Sequence, residues 1–80
     1  MTLNKTDILQ FVEEKLGVDT AGLDENTPLF SSGIIDSAGM VDLIVFVEAN
    51  GQVEFLPEDI TLDHLDSIAK ILSFVEERHA

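Results

Sequence analysis

The sequence predicts an all-α fold, a small helical bundle, on three observations. Apolar residues recur at spacings of three and four in separate segments, as one face of an α-helix requires. Helix-starting residues such as Asn4, Thr6, Asp36 and Ser67, and the glycines Gly17 and Gly51, stand at the ends of those segments. With 80 residues, 45% of them hydrophobic, and no cysteine, the chain is sized for one domain over residues 1–80 held by packing rather than disulfides.

The first helix starts at Asn4 or Thr6. Ile8, Leu9, Val12 and Leu16 form its inner stripe, Glu13, Glu14 and Lys15 face solvent, and Gly17 stops it. From residue 18 to 35 the period is lost, and Gly22, Pro28, Ser31, Ser32 and Gly33 punctuate a long loop. Leu23, Leu29, Phe30, Ile34 and Ile35 make that loop apolar enough to pack down. A second helix begins near Asp36 and ends at Asn50-Gly51, with Val41, Ile44, Val47 and either Leu43 or Ala49 directed inward. The run Leu43-Ile44-Val45-Phe46-Val47 is rich in β-branched residues and would also suit a strand. Its place inside a segment long enough for a helix, with a glycine stop, favours the helix. Residues 55–60 read as a loop because Pro57 removes a backbone donor, with Phe55, Leu56 and Ile60 as core anchors. Thr61 or Asp63 caps a short turn through Leu65. A last helix runs from Asp66 or Ser67 to Arg78 on the stripe Ile68, Ile71, Leu72 and Val75.

Sixteen acids against four Lys and Arg give a net charge of −12. That balance opposes counterion release, so nucleic acid is excluded as a partner and anionic membranes should repel the chain. No apolar run approaches the roughly 20 residues of a membrane span, and Met1-Thr2-Leu3-Asn4-Lys5 opens no signal peptide, so a cytoplasmic address is expected. Residues 16–69 contain no Lys or Arg but eleven acids, Asp42 and Glu48 among them. Such a stretch is either a solvated acidic surface or a docking face for basic partners.

Catalytic and metal patterns fail. Ser37 has Gly39 after it but Ile35 where a nucleophile elbow needs glycine, and the chain is too short for that fold. An EF-hand starting at Asp59 would put His64 at the obligatory glycine and Lys70 at the bidentate glutamate. His64 and His79 are far apart in sequence and read as surface or half-buried polar residues, not as ligands or bases. What remains is Ser37, just after the candidate cap Asp36. There the unpaired N–H groups of a helix start favour a phosphate, although Asp36 and Ser37 could also simply cap the helix.

The stretch Leu29-Phe30-Ser31-Ser32-Gly33-Ile34-Ile35-Asp36-Ser37, followed by Met40-Val41-Asp42-Leu43-Ile44-Val45-Phe46-Val47-Glu48, resembles the attachment region of acyl carrier proteins. The similarity extends over nearly the whole chain, through Thr27-Pro28-Leu29-Phe30 in the long loop and the segment from Asp66-Ser67-Ile68 to Val75. It implies a four-helix bundle with a long first loop and a short third helix. It also implies that Ser37 bears 4′-phosphopantetheine, attached from coenzyme A by a phosphopantetheinyl transferase, with Asp36 capping the helix and helping to orient Ser37. The carried thiol would hold cargo as a thioester, which suits a chain without cysteine. By the same resemblance the second helix is a docking face. Ala38, Val41 and Val45 would supply apolar contacts, and Asp42 and Glu48 would meet basic patches on a loading ligase and on downstream acyltransferases or synthases. From the residues alone, Val41 and Val45 fit core packing equally well.

Such a chain is expected to be a monomeric shuttle in a pathway such as lipid or fatty-acid synthesis, and not itself an enzyme. One departure from the commonest carrier pattern is Ala38-Gly39 after the serine in place of leucine, which predicts a smaller contact and a looser first turn. Asp-Ser-Ala-Gly is similar to D-alanyl and stand-alone aminoacyl carrier proteins, so an aminoacyl group stands beside a fatty acyl group as cargo. The competing reading is an acidic helical interaction module with no prosthetic group.

Overall fold

In the computed structural model, which describes residues 3–79, α1 runs over Lys5–Leu16, α2 over Ser37–Gly51, α3 over Leu62–Leu65 and α4 over Ile68–His79. A 3-10 turn lies at Pro57–Asp59. No strand occurs among the described residues, so the β-branched run 43–47 is helical. Met1 and Thr2, part of the stretch read for a signal peptide, and Ala80 lie outside the described residues.

Asn4, not Thr6, caps α1. Its side chain accepts the Asp7 N–H at 2.9 Å while the Asp7 carboxylate accepts the Asn4 N–H at 3.2 Å, so two helix-start donors are satisfied reciprocally. Gly17 closes the helix in the left-handed region, φ 69°. Ile8 and Val12 are fully buried, with Leu9 and Leu16 packed at the edge.

The inward side of α2 differs from the expected stripe. Gly39, Leu43, Val47 and Gly51, each four residues apart, are the buried positions. Val41 is 61% exposed, Ala49 is also exposed and Ile44 is half-buried. Because α2 is apolar on most sides, its sequence offers several candidate stripes, and contact with neighbouring elements selects one. The stop differs as well. Gly51 stays helical and packs beside Val75, where an added Cβ would sit 3.3 Å from Val75 Cγ1. The left-handed residue is therefore Gln52, φ 54°.

α3 packs on α4, and α1 packs on both α2 and α4. α4 starts at Ile68 rather than Asp66 or Ser67. The buried Ser67 accepts the Lys70 N–H at 3.2 Å, as a cap does. Ile68, Ile71 and Val75 are buried as expected, and Phe74 joins them. Residues 55–60 are not a plain loop, since Pro57 opens the 3-10 turn, a place where its missing N–H is harmless. Of the expected anchors only Phe55 is buried, stacked on Phe74 with ring centroids 4.6 Å apart, while Leu56 and Ile60 are exposed. Asp59 is buried and pairs with Arg78, whose guanidinium also lies over the Phe74 ring. One of the acids expected on the surface therefore serves the interior.

Candidate functional site

Asp36 and Ser37 form the entrance to α2. Asp36 is extended at the cap position, and its carboxylate accepts the Gly39 N–H at 2.8 Å while its carbonyl accepts the Met40 N–H at 2.9 Å. Its charge is thereby tied to the first turn. Ser37 follows as the first helical residue with its side chain exposed. The Ser37 and Ala38 N–H groups belong to the turn that lacks intrahelical acceptors, so the hydroxyl stands at the positive end of a 15-residue helix.

The long loop that delivers Ser37 is held by a residue whose role sequence reasoning missed. Asp66 accepts the Phe30 N–H at 2.8 Å, the Ser31 N–H at 2.9 Å and the Ser31 hydroxyl at 2.7 Å. Its carbonyl takes the Leu29 N–H at 2.6 Å, and Leu29 in turn accepts the Ile35 N–H at 2.9 Å. With Leu29 fully buried and Ile35 nearly so, the loop is pinned one residue short of the cap. These bonds to Ser31 and Phe30 hold the Asp66 carboxyl below the usual carboxylate range against the opposing effect of burial. The available signal was an acid two residues before the last helix, which meets Ser31 35 residues earlier; nothing local in the sequence joins the two.

The docking residues expected on α2 fall into two groups. Ala38, Val41, Asp42 and Val45 are all exposed, Val45 by 59%, so Val41 and Val45 are not core residues. Glu48 is half-buried and turned to internal use, its carboxylate accepting the Phe55 N–H at 2.8 Å and so tying the segment after α2 back onto the helix. An open groove of about 310 Å³ runs beside Ser37 between the end of α1 and the start of α2, lined by Lys15, Leu16, Ile35, Asp36, Ala38 and Asp42 among others. His64 sits over Phe74 with its Nδ1 3.0 Å from the Asp59 carbonyl, and His79 Nε2 lies within hydrogen-bonding reach of the Gly51 carbonyl. Both histidines are far from Ser37 in the chain and occupied by the scaffold.

This geometry suits a phosphodiester arm. Ser37 is exposed, the neighbouring carboxylate is committed to the backbone, and a helix start is where N–H groups without intrahelical acceptors favour an anion. Among the described residues no side chain is hydrogen-bonded to the Ser37 hydroxyl.

Comparison with known proteins agrees. Residues 6–75 match the family described as "Phosphopantetheine attachment site". An acyl carrier protein of Thermotoga maritima is 28% identical over 71 residues, covering 89% of this chain and 85% of that protein. Among solved structures, a chain described under "Crystal structure of FAD-dependent dehydrogenase" superposes with a TM-score of 0.74 at 28% identity, over 85% of this chain and 97% of that one. No helix among the described residues is long and apolar enough to cross a membrane.

Proposed function

Since the chain belongs to the phosphopantetheine-attachment family of carrier proteins, we propose that Ser37 is its attachment point and that the protein presents an acyl or aminoacyl group to partner enzymes. Family membership brings a covalent 4′-phosphopantetheine, which when attached supplies a thiol that holds cargo as a thioester. In the attachment step Ser37 Oγ gives up its proton and forms a bond to the pantetheine-side phosphorus of coenzyme A. The pyrophosphate P–O bond breaks and adenosine 3′,5′-bisphosphate leaves. The observation that carries this reading is the exposed Ser37 hydroxyl opening α2 directly after a satisfied Asp36 cap, inside the matched segment.

Asp36 holds the first turn, and Ala38, Val41 and Val45 offer partners an apolar strip beside the arm. Asp42 supplies the charge that steers basic partners toward it, with Glu48 a lesser contributor because Phe55 already engages its carboxylate. The resemblance of Asp-Ser-Ala-Gly to aminoacyl carriers keeps an amino acid among the cargoes, and loading assays with amino acid and fatty acid ligases decide between them.

The test is an intact-protein mass spectrum before and after incubation with coenzyme A and a broad-specificity phosphopantetheinyl transferase. One phosphopantetheine adduct on the native chain and none on Ser37→Ala supports the proposal. An unmodified native chain would favour an acidic interaction module, and an adduct that survives in Ser37→Ala would move the attachment point elsewhere.

A further inference from the structure

Gly39 is buried in the first turn of α2, where an exposed face would tolerate any good helix former. Its φ is not in the left-handed region, so backbone conformation does not call for glycine there. Space does. A Cβ on Gly39 would sit 2.6 Å from Ile35 Cγ2, 3.4 Å from Asp36 Oδ1 and 3.5 Å from Leu16 Cδ1. The first contact is impossible as it stands. Ile35 Cγ2 is attached directly to a branched Cβ whose χ1 is stiff, so relief must come from the Ile35 backbone rather than from a swinging side-chain end. That backbone is anchored by its N–H to Leu29 and leads within two residues to Ser37. The Gly39 N–H is meanwhile the donor that fixes the Asp36 cap. By contrast, an added Cβ at Gly22 or Gly33 meets nothing within 4 Å.

We infer that Gly39 is a positioning residue for the modification of Ser37: by having no side chain it lets Ile35 seat the Asp36–Ser37 entrance against the end of α1, giving the hydroxyl one fixed orientation toward an incoming phosphoryl donor. The glycine after Ser37-Ala38 is then not a looser turn, as the sequence suggested, but a tighter one. The inference rests on Ser37 being the attachment point.

Steady-state modification by a broad-specificity phosphopantetheinyl transferase with coenzyme A, read by mass, tests it on native protein, Gly39→Ala, Ile35→Leu and the double variant, each checked for folding by circular dichroism. Leucine keeps the volume of Ile35 but removes the branch that Gly39 accommodates. Gly39→Ala should lower kcat about tenfold or more, because misplacing a reacting atom by a fraction of an ångström to an ångström carries penalties of this order, while KM changes by less than about twofold. Ile35→Leu alone sets the reference rate for the double variant, and adding it to Gly39→Ala should restore most of the kcat that Gly39→Ala loses. A folded Gly39→Ala modified at the native rate, or a double variant as slow as the single one, overturns the inference. If Gly39→Ala does not fold, the double variant decides: folding with near-native modification supports the inference, and failure to fold overturns it. A native chain that takes no adduct would instead fail the Ser37 reading itself.

Discussion

The two sides of α2 are both apolar, yet one is fully buried and the other stands in water. Leu43 and Val47 have no exposed surface, whereas Val41 and Val45, two residues along the same helix, are about three-fifths exposed. The buried side is explained by the core. The exposed side gains less from folding, and a strip of valines largely in solvent beside an exposed serine and Asp42 supports the proposed partner surface. Hydrophobicity places α2 in the fold; the division between its sides supports the proposed docking face.

The largest effect should come from truncating the buried side. Leu43→Ala is expected to lose about 2–5 kcal/mol of stability by chemical denaturation, through lost burial and the cavity left behind. Val45→Ala should change stability by less than about 0.5 kcal/mol, while weakening binding to the transferase. Equal losses of stability at the two positions would erase the distinction between the sides.

Acid should act next, through the loop that leads into α2 rather than through α2's core side. The Asp66 carboxyl is held below its ordinary value, chiefly by the Ser31 hydroxyl and then by the Ser31 and Phe30 N–H groups. A group with a depressed folded-state pKa contributes stability that is present above its unfolded value and is lost as the pH falls through the folded one. The stability contributed by Asp66 should therefore be complete above about pH 5 and decline below about pH 4. Hydrogen exchange at the Phe30 and Ser31 amides should accelerate there before that of Leu43 and Val47. Asp66→Asn should flatten the acid limb, and an unchanged limb would remove Asp66 from the explanation.

Much of this architecture was legible in the sequence because it is written locally. The Asn4 and Asp36 caps, the Gly17 stop and the apolar stripes of α1 and α4 are all decided within a few residues. What was not legible depends on neighbours distant in the chain. Gly51 reads as a stop, but it stays helical and packed beside Val75, and Gln52 takes the left-handed turn. Glu48 and Asp59 read as surface acids, but the Phe55 N–H and Arg78 claim them. Asp66 read as a possible start of the last helix, but the long loop folds back onto it instead. The place of Ser37 at the start of α2 was legible because its helix-start context lies in adjacent residues, whereas the choice between core and surface for Val41 and Val45 needed the packing of α1 against α2.

Smaller effects sharpen the contrast. Association with a basic partner should slow steeply as salt rises if the acidic charge steers it to the exposed side, and a rate indifferent to salt would leave the valines as the dominant contact. The smallest effect is at the end of the helix. Gln52→Gly should raise stability by up to about 1 kcal/mol, because glycine takes the left-handed conformation without steric cost. An unchanged or lowered melting temperature would contradict that.

The most direct test of the division of α2 is amide chemical-shift mapping of the labelled protein against a phosphopantetheinyl transferase with coenzyme A withheld, so that docking is seen without chemistry. The account predicts shifts concentrated at Ser37, Ala38, Val41, Asp42 and Val45. Shifts centred on α4 or on the outer side of α1, with this strip silent, would contradict it.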